Sequence, residues 1–283
     1  MDIFIDNKAA EINLDTEKTL GDVLAGIDTW ISSTGNRILG ISVDGKSVTE
    51  EALAVISEKD IKDIKKLEIS LLSYRELAGE ALEKLLETCI EAEKASFNER
   101  AEVKSAWENS AAARFLASDI PDLHSAMARC LSGEGLGARE LMVIIEERLR
   151  EISDPVAETA TSESLVVSVA QRMEEFPLDM QTGKEARAAE TIQLFSSLSE
   201  KLFRIFIIHR SDGLSMEGFI IDENPAGKFI EEFTAALKEL TEAYQNRDTV
   251  LAGDIAEYEL APRLLKFFHA LNSISNFLVA SKP

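Results

Sequence analysis

Hydrophobic positions recur every second residue at the start of the chain, then at a spacing near 3.6, then every second residue again up to Leu71. From Ser73 onward the spacing is almost entirely helical. Ile3 and Ile5 alternate with Asp2, Phe4 and Asp6. Ile12 and Leu14 alternate with Glu11 and Asn13 beyond the polar Asn7-Lys8, which predicts two half-buried strands joined by a tight turn. Thr19 followed by Asp22 makes a near capping box, and Leu20, Val23, Leu24, Ile27 and Ile31 fall on one helical stripe ending near Gly35-Asn36. Ile38 to Val43 form the next strand and Asp44-Gly45 its hairpin turn. A short helix covers Thr49 to Ile56, and Leu67, Ile69 and Leu71 alternate with Glu68 and Ser70 in a closing strand.

The helical part opens on Ser73 and Glu76, a capping box at the exit of the last strand. Leu77, Ala81, Leu82, Leu85, Leu86, Cys89 and Ile90 then form a broad stripe to about Ala95. A second helix is expected from about Asn98 to Ile120, broken at Pro121 and continued by Leu123 to Leu131, with a glycine-rich loop at 132–137. A short amphipathic helix carrying Leu141, Ile144, Ile145, Leu149 and Ile152 follows. Asp154 to Glu163, rich in Pro, Thr, Ser and Glu without periodicity, reads as a connector. Beyond it come Leu165 to Phe176, a long helix over Lys184 to Ile208, an interruption over 211–227 in which 218–221 read as a stray strand, and two last helices. One is marked by Phe229 to Tyr244 and the other by Ile255 to Leu271. Leu116-Ala117-Ser118-Asp119-Ile120 echoes Leu251-Ala252-Gly253-Asp254-Ile255, the pattern that a duplicated helical hairpin would leave.

The order strand, strand, helix, strand, short helix, strand, together with Met1-Asp2-Ile3-Phe4-Ile5 and the helix start at Thr19, resembles the ubiquitin-like β-grasp fold. The resemblance implies one compact core wrapped by a hairpin, a crossing helix and a closing strand. The Gly-Gly tail of conjugated modifiers is missing, because Leu71-Leu72-Ser73-Tyr74-Arg75 runs into a helix, so an embedded docking or packing module is implied and not a tag. The run Asp254 to Pro262 resembles one found in uncharacterised helical bacterial proteins, and no function comes with it. The expected architecture is α+β: a β-grasp domain over 1–72, a helical subdomain over 73–153 and a second over 164–283, the body built of helical hairpins.

Composition narrows the function classes. A formal charge of −21 and a pI near 4.6 oppose binding to nucleic-acid phosphates and to anionic membrane surfaces. The start Met1-Asp2-Ile3 has no basic leader, and Ile205 to Ile208 is stopped by His209-Arg210, so a soluble, cytoplasmic protein is expected.

Candidate chemistry is thin. Gly40-Ile41-Ser42-Val43-Asp44-Gly45-Lys46-Ser47 matches the letters of a P-loop, yet its middle is the predicted strand and no helix opens at its end, so the hairpin reading prevails over nucleotide binding. Cys89 and Cys130 lie far apart among apolar helix positions and form no CxxC motif. His124, His209 and His269 stand singly, with no spacing that holds a metal, and no cofactor is expected. His124 sits on a helix as the histidine of a phosphotransfer bundle does, but Met127 and Ala128 occupy the positions where a lysine and a glycine are expected. Asp254, Glu257 and Glu259 read as a solvated acidic face.

These readings point to non-catalytic protein binding, as an adaptor or chaperone of the bacterial cytoplasm linked to secretion or motility. A signalling bundle with a phosphoacceptor His124 or His209 is the alternative, and a nucleotide-binding protein using the P-loop-like residues 40–47 a lesser one. The candidate surface is the last helical pair, with Phe229, Phe233, Tyr258, Phe267 and Phe268 as partner-binding residues for an amphipathic helix with a basic face. Phe267 and Phe268 are adjacent, about 100° apart on a helix, so either one of them borders a groove or, the reading a multi-layer helical body favours, both rings are enclosed by neighbouring hairpins.

Overall fold

The computed structural model describes the chain except residues 11, 13, 15, 16, 34, 35, 97, 98, 213–218 and 281–283, and it describes no side chain at 32, 33, 50, 51 or 275–280. Its residues group into two units, Met1–Glu146 with Ser211–Gly213, and Glu147–Arg210 with Leu214–Pro283.

The first unit opens with a mixed five-stranded sheet in the order β2-β1-β5-β3-β4. Its strands are β1 (Asp2–Ile5), β2 (Lys8–Ala9), β3 (Arg37–Val43), β4 (Lys46–Val48) and β5 (Lys66–Leu72), with helices α1 (Leu20–Ser33) and α2 (Glu50–Ile56) between them. β1 runs parallel to β5 at the centre, and the other pairings are antiparallel. The α1 stripe Leu20, Val23, Leu24, Ile27 and Ile31 packs with Ile3, Val43, Ile64, Leu67 and Ile69 into one core, as the periodicity predicts. Its start is a reciprocal capping box, in which Thr19 N–H donates to Asp22 Oδ2 (2.9 Å) and Asp22 N–H donates to Thr19 Oγ1 (3.2 Å).

Two details of the sheet depart from the sequence reading. The turn after β1 closes in two residues, Asp6 and Asn7 at φ 47° and 63°, so pairing resumes at once with Ile5 opposite Lys8. The second strand is therefore Lys8–Ala9, while Ile12 and Leu14 lie outside any strand, and the Glu11 and Asn13 of the expected alternation fall outside the described residues. In β3 the register with β5 slips between Ile38 and Gly40, a bulge that turns Leu39 outward to 65% exposure. The expected hairpin at Asp44-Gly45 is present, with both residues at positive φ and Asp44 Oδ1 accepting from the Lys65 and Lys66 amides at 2.9 Å each.

Helix α3 (Tyr74–Lys94) begins at the expected Ser73/Glu76 capping box and buries Ala78, Ala81, Leu82, Leu85 and Cys89. The single helix expected from 98 to 120 is two, α4 (Glu99–Glu108) and α5 (Ala111–Asp119), because Ser110 caps the second by accepting from Ala113 N–H at 3.0 Å. Helix α6 (Pro121–Leu131) follows with Pro121 in its first turn, where a missing N–H costs nothing. Helix α7 (Ala138–Ser153) follows the glycine-rich loop and contributes residues to both units.

In the second unit, the stretch read as a connector holds helix α8 (Pro155–Thr161), with Asp154 as its cap accepting from Ala157 N–H at 3.0 Å. Caps and β-hydroxyls look like loop chemistry in sequence. Here Thr159 is buried, and its hydroxyl donates back to the Pro155 carbonyl at 2.7 Å. Next come α9 (Glu163–Glu174), α10 (Phe176–Gln181) and α11 (Glu185–Ser211). The stray strand is a small hairpin of β6 (Ile220–Ile221) and β7 (Asn224–Pro225), which leads into α12 (Ala226–Gln245). The last segment runs from α13 (Thr249–Asp254) through a π-helical turn at Ile255–Leu260 into α14 (Ala261–Ala280). Pro262 has no N–H to continue an α ladder and its ring crowds the preceding turn, which accounts for the wider turn; Ala261 N–H reaches back five residues to Ala256. The echoing pentapeptides differ in structure: the first ends α5 at Ile120 (φ −138°), whereas the second stays helical through Ile255 (φ −63°).

Candidate functional site

Alongside its buried stripe, α1 carries a second row at intervals of four residues, Asp22, Gly26 and Trp30. Together with Val23 and Ile27 this row forms one wall of an open groove of ≈ 590 Å³; Ile5 of β1 and the following Ala10, Ile12, Leu14 and Glu17 form the other. That volume falls within the roughly 300–1,000 Å³ typical of binding clefts. Trp30 is 57% exposed and Ile12 38%, so two large apolar side chains rim the opening. Gly26 leaves a gap in its wall, since a Cβ there would meet no described atom within 4 Å.

The described lining is apolar except for two carboxylates, Glu17 and Asp22, and no basic side chain belongs to it. The amides of Thr19 and Lys18 donate to Asp22 and hold its carboxyl below the usual range, with Lys18's own charge acting the same way more weakly. Asp22 therefore stays ionised as it caps the helix.

The residues expected to bind a partner lie elsewhere and mostly face inward. Phe229, Phe233, Phe267 and Phe268 are all at most 3% exposed, and of the five expected positions only Tyr258 is at the surface, at 67%. The Phe267 ring meets Phe203 and Phe206 of α11 and Phe229 and Phe233 of α12, at centroid distances from 4.9 to 6.2 Å. A helix packed on more than one side buries a wide face, so neither Phe267 nor Phe268 borders a groove. Tyr258 lies in the π-helical turn, where the neighbouring Glu257 carboxylate raises its pKa.

The P-loop-like letters divide between β3, the Asp44-Gly45 turn and β4, and no helix begins at Lys46. His124 is half-buried on α6 and His209 is buried on α11. Among the described residues no group of three or more His, Cys, Asp or Glu is placed to hold a metal ion, and no helix is long and apolar enough to cross a membrane.

Sequence reading missed the groove because Trp30 lies beside the apolar stripe and not on it. The available signal was Gly26 and Trp30 one turn apart, a gap next to a large ring.

Fold and groove together define an α+β protein, a mixed-sheet head carrying an apolar cleft and followed by a large helical body. Residues 1–73, which contain the described lining of the groove, match the family described as TP0873 N-terminal domain, and residues 158–269 match Domain of unknown function (DUF8042). Over 94 residues the chain is 33% identical to an uncharacterized protein of Treponema pallidum (strain Nichols), a match covering 32% of this chain and 44% of that protein. No solved structure matches.

Proposed function

We propose that the protein is a non-catalytic protein-binding adaptor or chaperone of the bacterial cytoplasm, linked to secretion or motility, and that it captures its partner through the groove of the head. The observation that carries this reading is the groove itself: ≈ 590 Å³, apolar, open, and rimmed by an exposed Trp30 and Ile12. Exposed tryptophans beside apolar clefts are the side chains that anchor protein interfaces. A head of the ubiquitin-like β-grasp kind supports the reading as an embedded docking module; the strand order β2-β1-β5-β3-β4, with α1 crossing after the first hairpin, agrees with that fold. The Treponema relative agrees with a bacterial source.

The test compares the proteins retained from the native cytoplasm by the wild-type full chain with those retained by Gly26→Leu and Trp30→Ala chains. Partners held by the wild type and lost from both variants are expected. An identical set on all three would sink the groove as the working surface.

A further inference from the structure

We infer that the groove receives one face of a helix bearing apolar side chains at positions i and i+4 and a lysine or arginine at i+8, an inference that rests on the protein-binding reading above. Three observations lead to it.

The first concerns backbone hydrogen bonds. The groove adjoins the edge strand β2, which at first sight suits an added strand. That edge is only Lys8–Ala9 long, and just beyond it the Ile12 N–H donates to the Ala10 carbonyl at 3.1 Å, bending the chain out of strand geometry. An extended occupant would enter an apolar cleft with most of its amides and carbonyls unmatched, at about 1–3 kcal/mol for each buried group left unsatisfied. A helix brings its backbone bonds with it and has only side chains to place.

The second is the polarity of the groove. The acidic groups of its described lining gather at one end: Asp22 lies in the first turn of α1, bonded to the amides of Lys18 and Thr19, and Glu17 immediately precedes them. Trp30 stands eight residues further along α1, about 12 Å at 1.5 Å per residue. A partner helix lying beside α1 repeats that row, with two apolar side chains against Trp30 and the gap at Gly26 and a cation over Asp22.

The third is the charge of the whole chain, −21, which draws basic segments toward it and repels acidic ones.

The experiment uses the full chain carrying Trp107→Phe. Trp107 is 2% exposed and its indole N–H has no hydrogen-bond acceptor among the described residues, so Phe removes a second fluorophore from the core without orphaning a described acceptor. The chain has two tryptophans, which leaves Trp30 as the reporter. The probe is a synthetic alanine–glutamine peptide with leucine at i and i+4 and lysine at i+8. Its controls are the same peptide with glutamate at i+8, and one with a central proline that prevents a helix. A saturable blue shift of Trp30 emission is expected with the lysine peptide, weakened roughly tenfold or more by glutamate and by proline. Equal binding of the lysine and glutamate peptides would overturn the assigned polarity. Tighter binding of the proline peptide than of the helical one would overturn the helical occupant while leaving protein binding at the groove standing. No shift with any peptide overturns the inference, and the groove reading falls with it only if Gly26→Leu also retains the wild-type partner set.

Discussion

Gly26 and Trp30 stand one turn apart on the same flank of α1; a Cβ at the first would meet nothing within 4 Å, and the second is 57% exposed. A glycine in the middle of a helix costs about 0.5–1 kcal/mol relative to alanine, and nothing among the described residues around Gly26 requires it. Gly26→Leu is therefore expected to stabilise the fold by roughly 0.5–1 kcal/mol, because leucine is nearly as good a helix former as alanine. The same side chain projects from the groove wall into its opening. Thermal unfolding and partner capture should move in opposite directions, with a higher melting temperature and weaker binding. A variant that is more stable and binds as well as the wild type would remove the groove from the mechanism.

Gly253 shows the opposite case. A Cβ there would lie 3.1 Å from Pro177 Cβ and 3.2 Å from Pro177 Cγ, where α13 meets the first turn of α10. The proline ring cannot rotate away as a flexible side chain does, so the two helices must separate. Overpacking of this kind typically costs about 1–3 kcal/mol, against a helix-propensity gain of at most about 1 kcal/mol. Gly253→Ala should lower stability by about 1 kcal/mol in chemical denaturation, whereas Gly26→Ala should raise it. Equal gains at both positions would show that the close approach at Pro177 carries no constraint.

The two glycines mark what the sequence could and could not reveal. Periodicity identified α1, its Thr19–Asp22 cap, the closing strand β5 and the α3 capping box, because each rests on residues near one another in the chain. It misplaced β2, since the polar Asp6-Asn7 pair closes a two-residue turn whose register no apolar alternation announces. It also mistook α8 for a connector, because capping and back-bonding side chains use the same residues as loops. The site was the least legible part. Phe267 and Phe268 are adjacent and large, but whether adjacent rings lie in a groove or in a core depends on how many neighbours the helix has, which is settled by tertiary packing.

Arg204 and Glu151 test a different kind of contact. The Arg204 guanidinium donates through Nε and Nη2 to both Glu151 oxygens, at 2.8 and 2.7 Å, and the Glu151 side chain is 1% exposed. Arg204→Met leaves that carboxylate buried without its partner, and breaking such a pair from one side costs about 3–5 kcal/mol. Replacing both residues, Arg204→Met with Glu151→Leu, should recover most of the loss, because neither charge is then stranded. Urea midpoints of the two variants decide it. A single substitution costing under about 1 kcal/mol would mean that water reaches Glu151 when Arg204 is gone.

The cysteines give a prediction in pH. Burial pushes the Cys89 thiol from its ordinary 9.0 up to about 12, and the nearby Cys130 acts in the same direction; burial also raises the Cys130 thiol, with Arg100 opposing the shift. Between pH 9.0 and about 12 the unfolded chain therefore loses the Cys89 proton while the folded chain keeps it. The folded state binds more protons in this window, so stability is fully present below pH 9.0 and declines as pH rises toward 12, by about 1.4 kcal/mol per pH unit and at most roughly 4 kcal/mol in all for this thiol. Lysines and tyrosines titrate nearby, so the informative quantity is the difference between the wild type and Cys89→Ala, measured by denaturation at pH 8 and pH 11. Part of the alkaline decline should disappear with the thiol. Iodoacetamide supplies a second readout, because the thiolate is the reactive form and Cys89 is wholly buried while Cys130 is partly accessible. In the native protein Cys130 should be alkylated well before Cys89. Equal labelling rates, or identical alkaline profiles for the wild type and Cys89→Ala, would mean that the thiol is not held in the dry interior of α3.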